Sequence, residues 1–161
     1  MQNPQSVSCQ GSDLPNLNME KNMAIERTLA IIKPNAIQAG QVGLIINEIE
    51  RAGLILKGMR LARLTPELCK EFYQEHVGKG FYPDLEAFMV EGPVVLMCLE
   101  GEDGILRWRD LMGATDPAKA APGTLRARFG QDHTRNATHG SDGPASAARE
   151  LGFFFGAYDL V

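Results

Sequence analysis

Six consecutive apolar residues, Val94-Val95-Leu96-Met97-Cys98-Leu99, constrain the chain more than any other stretch. An uninterrupted apolar run of strand length reads as a central β-strand, because an edge or one-sided strand alternates with polar residues. The chain's 161 residues suit one domain with a sizeable core around such a strand. A second short run, Thr28-Leu29-Ala30-Ile31-Ile32, is ended by Lys33-Pro34. Proline cannot extend a ladder, so Lys33 sits where strand regularity stops.

Between these runs the pattern changes period. Val42, Ile45, Ile46 and Ile49 lie at i, i+3, i+4 and i+7, an amphipathic helix that Gly53 ends. Leu54 to Leu64 reads as a long strand whose Lys57, Arg60 and Arg63 face water. Thr65-Pro66-Glu67 opens a helix, with a threonine cap and proline in the first turn, and Tyr73 is placed on it. Gly78 to Pro83 is a loop of breakers carrying two aromatics, followed by a short helix from Leu85 to Val90. After the central strand come a helix over Asp103 to Met112 and a long irregular stretch from Gly113 to Arg135. A short strand and a last helix, Ala145 to Leu151, precede an apolar tail that begins at Phe153-Phe154-Phe155. The order strand, helix, strand, helices, strand, helix, loop, strand, helix suits a ferredoxin-like α+β fold. That fold has four mainly antiparallel strands with helices on one face. Residues 1–22 are polar and rich in Gln, Asn and Ser. They read as a disordered extension ahead of a domain spanning 23–161.

Composition excludes several classes. A net charge of −4 offers no bulk attraction for nucleic acid or a membrane surface. No apolar run approaches the ~20 residues needed to span a bilayer. Cys9, Cys69 and Cys98 are few and unpatterned, which points to a reducing cytoplasm and to no zinc site. Gly-x-x-x-x-Gly-Lys-Ser/Thr is absent, as are a dinucleotide fingerprint and the protein-kinase motifs.

The chemistry concentrates in Asn136-Ala137-Thr138-His139-Gly140-Ser141-Asp142. A neutral imidazole is a competent nucleophile near pH 7. Gly140 lets the backbone come close to whatever the ring attacks, and Ser141 and Asp142 suit a helix entry. Glu150 follows 11 residues after His139, far enough for the chain to turn back. A carboxylate there can hold one ring nitrogen and leave the other free to attack. His76 reads as a solvated helix-end residue, and His133, in the long loop, as a minor candidate for binding.

Asn-x-x-His-Gly-Ser-Asp resembles the active-site motif of the nucleoside diphosphate kinase family, most closely its short bacterial members. The resemblance runs from about Ile25 to Phe155. It implies transfer of the γ-phosphoryl group of a nucleoside triphosphate, chiefly ATP, to a nucleoside diphosphate. The transfer proceeds by ping-pong through a phosphohistidine on Nδ1 of His139. Glu150 would hold the other ring nitrogen, Ser141 would support Glu150, and Tyr73 would stand beside the histidine. Lys33, Arg109, Thr115, Arg126 and Asn136 match phosphate and ribose contacts, and Phe81 and Leu85 match the base site. Mg²⁺ would arrive with the nucleotide phosphates, without direct protein ligands, and Asp142 would touch it through water. The long loop would line the site and pack between subunits of a homo-oligomer, a hexamer or tetramer. One departure is Gly143-Pro144, where the family commonly continues with serine; the lost hydroxyl touches a serine-dependent side activity, not the histidine. The competing readings are a non-catalytic nucleotide-binding regulatory protein of the same fold and a nucleic-acid-binding module. The second of these lacks a basic-aromatic stripe.

Overall fold

The computed structural model describes residues 24–161, and the expected extension at residues 1–22 lies outside them. Strand β1 (Ile25–Ile32) leads into a short helix α1 (Pro34–Gln38) and then α2 (Val42–Arg51). Gly53, at φ +73°, ends α2 in a conformation that favours glycine. Strand β2 (Ile55–Arg63) follows, then α3 (Pro66–Phe72), whose cap is the Thr65 hydroxyl accepting the Leu68 N–H at 3.3 Å. A single 3-10 turn, Gln74–His76, precedes α4 (Tyr82–Glu91) and the long strand β3 (Pro93–Glu102). The chain closes with α5 (Gly104–Met112), a 3-10 turn at Pro117–Lys119, α6 (Leu125–Phe129), β4 (Thr138–Gly140) and α7 (Pro144–Phe154).

The four strands form one sheet in the order β2-β3-β1-β4, with every neighbouring pair antiparallel. The ferredoxin-like α+β reading holds. The apolar run is the inner strand β3, paired along its length with β1 (Ile25 opposite Glu102 to Ile32 opposite Val95) and with β2 on its other edge.

The placement of helices on one face is corrected. Successive strand residues point to opposite faces, and here both faces are buried. Leu29, Ile31, Leu96 and Cys98 pack with Phe72, Phe88, Leu151 and Phe154 of α3, α4 and α7. Ala30, Ile32, Val95, Met97 and Leu99 pack with Ile45, Ile49, Trp108 and Met112 of α2 and α5. An apolar run without alternation is what a strand covered on both sides requires.

Other boundaries differ from expectation as well: α4 begins at Tyr82, within the stretch expected to be a loop. The stretch from Gly113 to Arg135 is not irregular throughout, because α6 and a 3-10 turn lie within it and Leu125 anchors α6 in the core. Helix α7 takes in Phe153 and Phe154, because Ala147, Leu151 and Phe154 continue one buried stripe at i, i+4 and i+7. Tyr73 follows α3 directly as its C-terminal cap.

Candidate active site

The site is built where β1 and β4 end against α5 and α7. His139 lies on β4 opposite Ile31, and its carbonyl accepts the Trp108 indole N–H at 3.2 Å. A Cβ on Gly140 would stand 2.5 Å from the Trp108 ring and 2.6 Å from Met112. The glycine therefore serves the approach of β4 to α5, and it also lines the cavity beside the histidine. Ala137 holds φ +68°, the turn that brings the chain from Asn136 into β4.

Glu150, on α7, receives the ring. His139 Nε2 lies 3.1 Å from Glu150 Oε2, and the Ser141 hydroxyl donates to the same oxygen at 2.7 Å. Ser141 Oγ in turn accepts the Leu29 N–H from β1 at 3.2 Å. Ser141 and Asp142 are therefore not the cap of α7. Gly143 occupies that position, and Ser146 Oγ accepts the N–H groups of Asp142 and Gly143 at 3.0 and 2.9 Å. Burial pushes the Glu150 carboxyl up, but the His139 hydrogen bond and charge, the Ser141 hydroxyl and Arg149 together hold it below the usual carboxylate range. With Nε2 engaged by a carboxylate, Nδ1 is the nitrogen left for chemistry. The ring is fixed edge-on between Phe72 (centroids 5.4 Å) and Tyr73 (6.0 Å). The Tyr73 hydroxyl is buried without a partner among the described residues, and burial pushes its pKa up, so it stays a proton donor.

His139 and Glu150 border a cavity of about 470 Å³, and Tyr73, Phe81, Leu85, Lys33, Arg109, Thr115, Arg126, Asn136 and Asp142 line it too. Of the expected site residues only Ser141 stands behind the wall, where it holds Glu150. The Lys33 amine donates to Asn136 Oδ1 at 2.7 Å and to the Thr134 carbonyl at 3.2 Å. Asn136 Nδ2 donates to the carbonyls of Thr115 and His133, each at 3.0 Å. Arg126 donates to the carbonyls of Gly113 and Thr138, each at 3.0 Å. Arg109 reaches Asp142 at 2.6 Å at the rim. Burial, aided by the like charge of Arg126, pushes Lys33 down to about 7. Burial, aided by Arg109, pushes Arg126 down to about 10. The cavity thus concentrates positive charge that lacks a full set of counter-charges, which suits an anionic ligand.

Phe72 and Arg149, which the sequence did not single out, also line this cavity, as do His133, the minor binding candidate of the long loop, and His76. His76 is not simply a solvated helix end. It lies three residues after Tyr73 on a 3-10 turn, where i and i+3 side chains eclipse, and that spacing was the available signal. Arg149 donates to the Phe72 carbonyl at 3.3 Å and approaches Glu150 Oε1 at 3.6 Å. Nothing in the sequence separates it from an ordinary exposed arginine. Among the described residues no group of three or more metal-ligating side chains comes together.

Comparison with known proteins gives one answer at every level. The nucleoside diphosphate kinase family model matches residues 26–160. The chain is 49% identical over 138 residues to the nucleoside diphosphate kinase of Bdellovibrio bacteriovorus, covering 86% of this chain and 98% of that one. It is 50% identical over 137 residues to that of Heliobacterium modesticaldum, covering 85% and 92%. Among solved structures, the Aquifex aeolicus nucleoside diphosphate kinase superposes with a TM-score of 0.83 at 43% identity, covering 86% of this chain and all of the other. A halophilic nucleoside diphosphate kinase from Halobacterium salinarum, in complex with CDP, gives 0.83 at 40% identity, covering 86% and 92%. The chain belongs to the nucleoside diphosphate kinase family.

Proposed function

We propose that this chain is a nucleoside diphosphate kinase that moves a γ-phosphoryl group, chiefly from ATP, to a nucleoside diphosphate through a phosphohistidine on His139. The observation that carries the mechanism is the 3.1 Å contact between His139 Nε2 and the buried Glu150, at the edge of a cavity with a basic wall. Nδ1 attacks the γ-phosphorus of the donor, and the bond to the β–γ bridging oxygen breaks. The diphosphate leaves with the electron pair. The proton stays on Nε2, hydrogen-bonded to the Glu150 carboxylate, which offsets the positive charge that the ring acquires. An acceptor diphosphate then attacks the same phosphorus, the P–N bond breaks, and neutral His139 returns. One site serves both halves because donor and acceptor are alike, which is ping-pong chemistry. Phosphoryl transfer needs positioning and charge neutralisation more than covalent help. Lys33, Arg109 and Arg126 supply the charge, and Thr115 and Asn136 hold phosphate and ribose oxygens. The Tyr73 ring lies edge-on to His139 and its buried hydroxyl has no partner among the described residues, which supports a role in meeting the transferred group.

Mg²⁺ fits this site as a passenger of the nucleotide. Among the described residues, Asp142 at the rim, exposed and paired with Arg109, and Glu75 farther along the lining are the exposed carboxylates that face the cavity, a donor set too sparse for an all-protein cage. The ion would neutralise phosphate charge, with Asp142 holding one of its waters. Phe81, half exposed on the cavity wall beside Leu85, offers the face of an aromatic ring to a base. A stacked ring does not read base edges, so the site accepts purine and pyrimidine, ribo- and deoxyribonucleotides. The kinase domain is taken as residues 23–161, in the cytoplasm. No described helix is long and apolar enough to cross a membrane, and nucleic acid is not a partner. The homo-oligomer reading, hexamer or tetramer, gains support from β2, an edge strand that exposes Ile55, Met59 and Leu61. Such an edge in a soluble chain calls for a cover.

His139→Ala should remove transfer, with a loss on the order of a millionfold, the scale seen when a covalent nucleophile is deleted. Nucleotide binding should survive. Glu150→Ala should cost about a hundredfold, as for a group that assists the nucleophile. Steady-state transfer from ATP to GDP reads both, and near-normal turnover of His139→Ala contradicts the mechanism.

Lys33 supplies a pH signature. Its folded value of about 7 lies far below the ordinary ~10.4, so in the empty site above pH 7 the amine is mostly neutral. Anionic phosphates favour the charged form. ADP binding at pH 8 should therefore take up a proton, whereas at pH 6 Lys33 is already charged and contributes none. Calorimetry in buffers of different ionisation enthalpy measures this, with Lys33→Ala as the control. Equal heats in all buffers at pH 8 contradict it.

For assembly, light scattering at micromolar protein should show a closed oligomer of four or six subunits. A monomer at that concentration refutes the assembly reading.

A further inference from the structure

Phe81 presents an exposure of 49% on the cavity wall, at the residue just before α4. A half-exposed phenylalanine has freedom to turn, and fixing a mobile side chain on binding costs about 0.5–1.5 kcal/mol. A base platform therefore works better when its plane is set beforehand. Among the described residues, the one aromatic contact of Phe81 is His76, edge-on with centroids 5.5 Å apart and planes at 61°.

His76 is itself held from several directions. Its ring stacks on Tyr73, centroids 6.0 Å apart and planes at 21°. Tyr73 is buried and braced edge-on by Phe72 at 4.7 Å. On the other side the Lys79 ammonium donates to His76 Nδ1 at 3.2 Å, which leaves Nε2 as the protonated nitrogen, 4.0 Å from Glu75 Oε1. The backbone ties the same residues: His76 N–H donates to the Tyr73 carbonyl, Lys79 N–H to the His76 carbonyl, and Tyr82 N–H to the Lys79 carbonyl. Rings thus run in unbroken contact from the buried wall of His139 to the exposed Phe81.

We propose that His76 is a positioning residue that sets the plane of Phe81, so that the nucleotide's base meets a ring already aligned with the reacting histidine. The proposal rests on Phe81 being the base platform. His76 lines the same cavity, and in this role it acts on the base through Phe81. The contact geometry asks for a flat ring at position 76 rather than for an ionisable one.

The test compares His76→Ala, His76→Phe, Phe81→Ala and the double variant His76→Ala/Phe81→Ala. ADP is the probe with a base and tripolyphosphate the probe without one. His76→Ala should weaken ADP binding between about twofold and about tenfold, the range of one aromatic pair. Tripolyphosphate binding should not follow, and the kinetic loss should fall on KM rather than kcat. His76→Phe should restore ADP binding. In the Phe81→Ala background, His76→Ala should add nothing further, because its effect passes through that ring. A loss that persists in that background shows that His76 contacts the base directly and overturns the proposal. So does an equal loss for tripolyphosphate, which marks a general collapse of the turn. If Phe81→Ala weakens ADP while His76→Ala does not, the positioning role alone fails. If Phe81→Ala leaves ADP binding unaltered, the platform reading fails and this proposal with it, while transfer through His139 stands untouched.

Discussion

Glu150 Oε2 accepts the His139 ring N–H and the Ser141 hydroxyl at once, and Ser141 in turn holds the Leu29 amide of β1. Through that one oxygen β1, β4 and α7 are fixed against each other. Burying a carboxylate costs several kcal/mol unless its lone pairs are used. Here two donors occupy one oxygen and the Arg149 guanidinium approaches the other at 3.6 Å. Removing Ser141 would leave the carboxylate less satisfied and the Leu29 amide without its acceptor. The nucleophile's orientation and the packing of three elements therefore depend on the same contact.

The opposite wall of the cavity is left electrostatically incomplete. Lys33 and Arg126 are buried with carbonyl and amide acceptors, not with carboxylates, and both are pushed below their ordinary values. Like charges held in a partly desolvated cleft repel each other until an anion arrives. The fold supplies that arrangement from three places: the end of β1, helix α6 and the turn before β4. In the proposed mechanism these side chains take the part that a glycine-rich phosphate loop plays elsewhere.

Much of this was legible in the residues. The run Val94–Leu99 announced an inner strand, and Lys33-Pro34 announced a strand end that presents an amine. The motif around His139 and the later Glu150 announced the nucleophile and its holder. Other features were not legible, for physical reasons. The division of the helices between the two faces depends on where α2, α3, α4, α5 and α7 dock, which no local pattern in the strands specifies. Helix α6 has a single fully buried apolar anchor, Leu125, too few for a period to show. The function of Gly140 depends on Trp108, 32 residues away in sequence, and no local rule links them. Arg149 gains its place from the Phe72 carbonyl, 77 residues away, and His76 meets Phe81 only because the turn between them folds back.

The mechanism requires a covalent phosphoryl group on His139. Purified protein incubated with γ-labelled ATP and no acceptor should take up label that acid releases and base does not. Peptide mapping should find that label on His139, and added GDP should carry it off as labelled GTP. Protein that transfers phosphoryl from ATP to GDP without acquiring label, or that carries label on another residue, would contradict the mechanism.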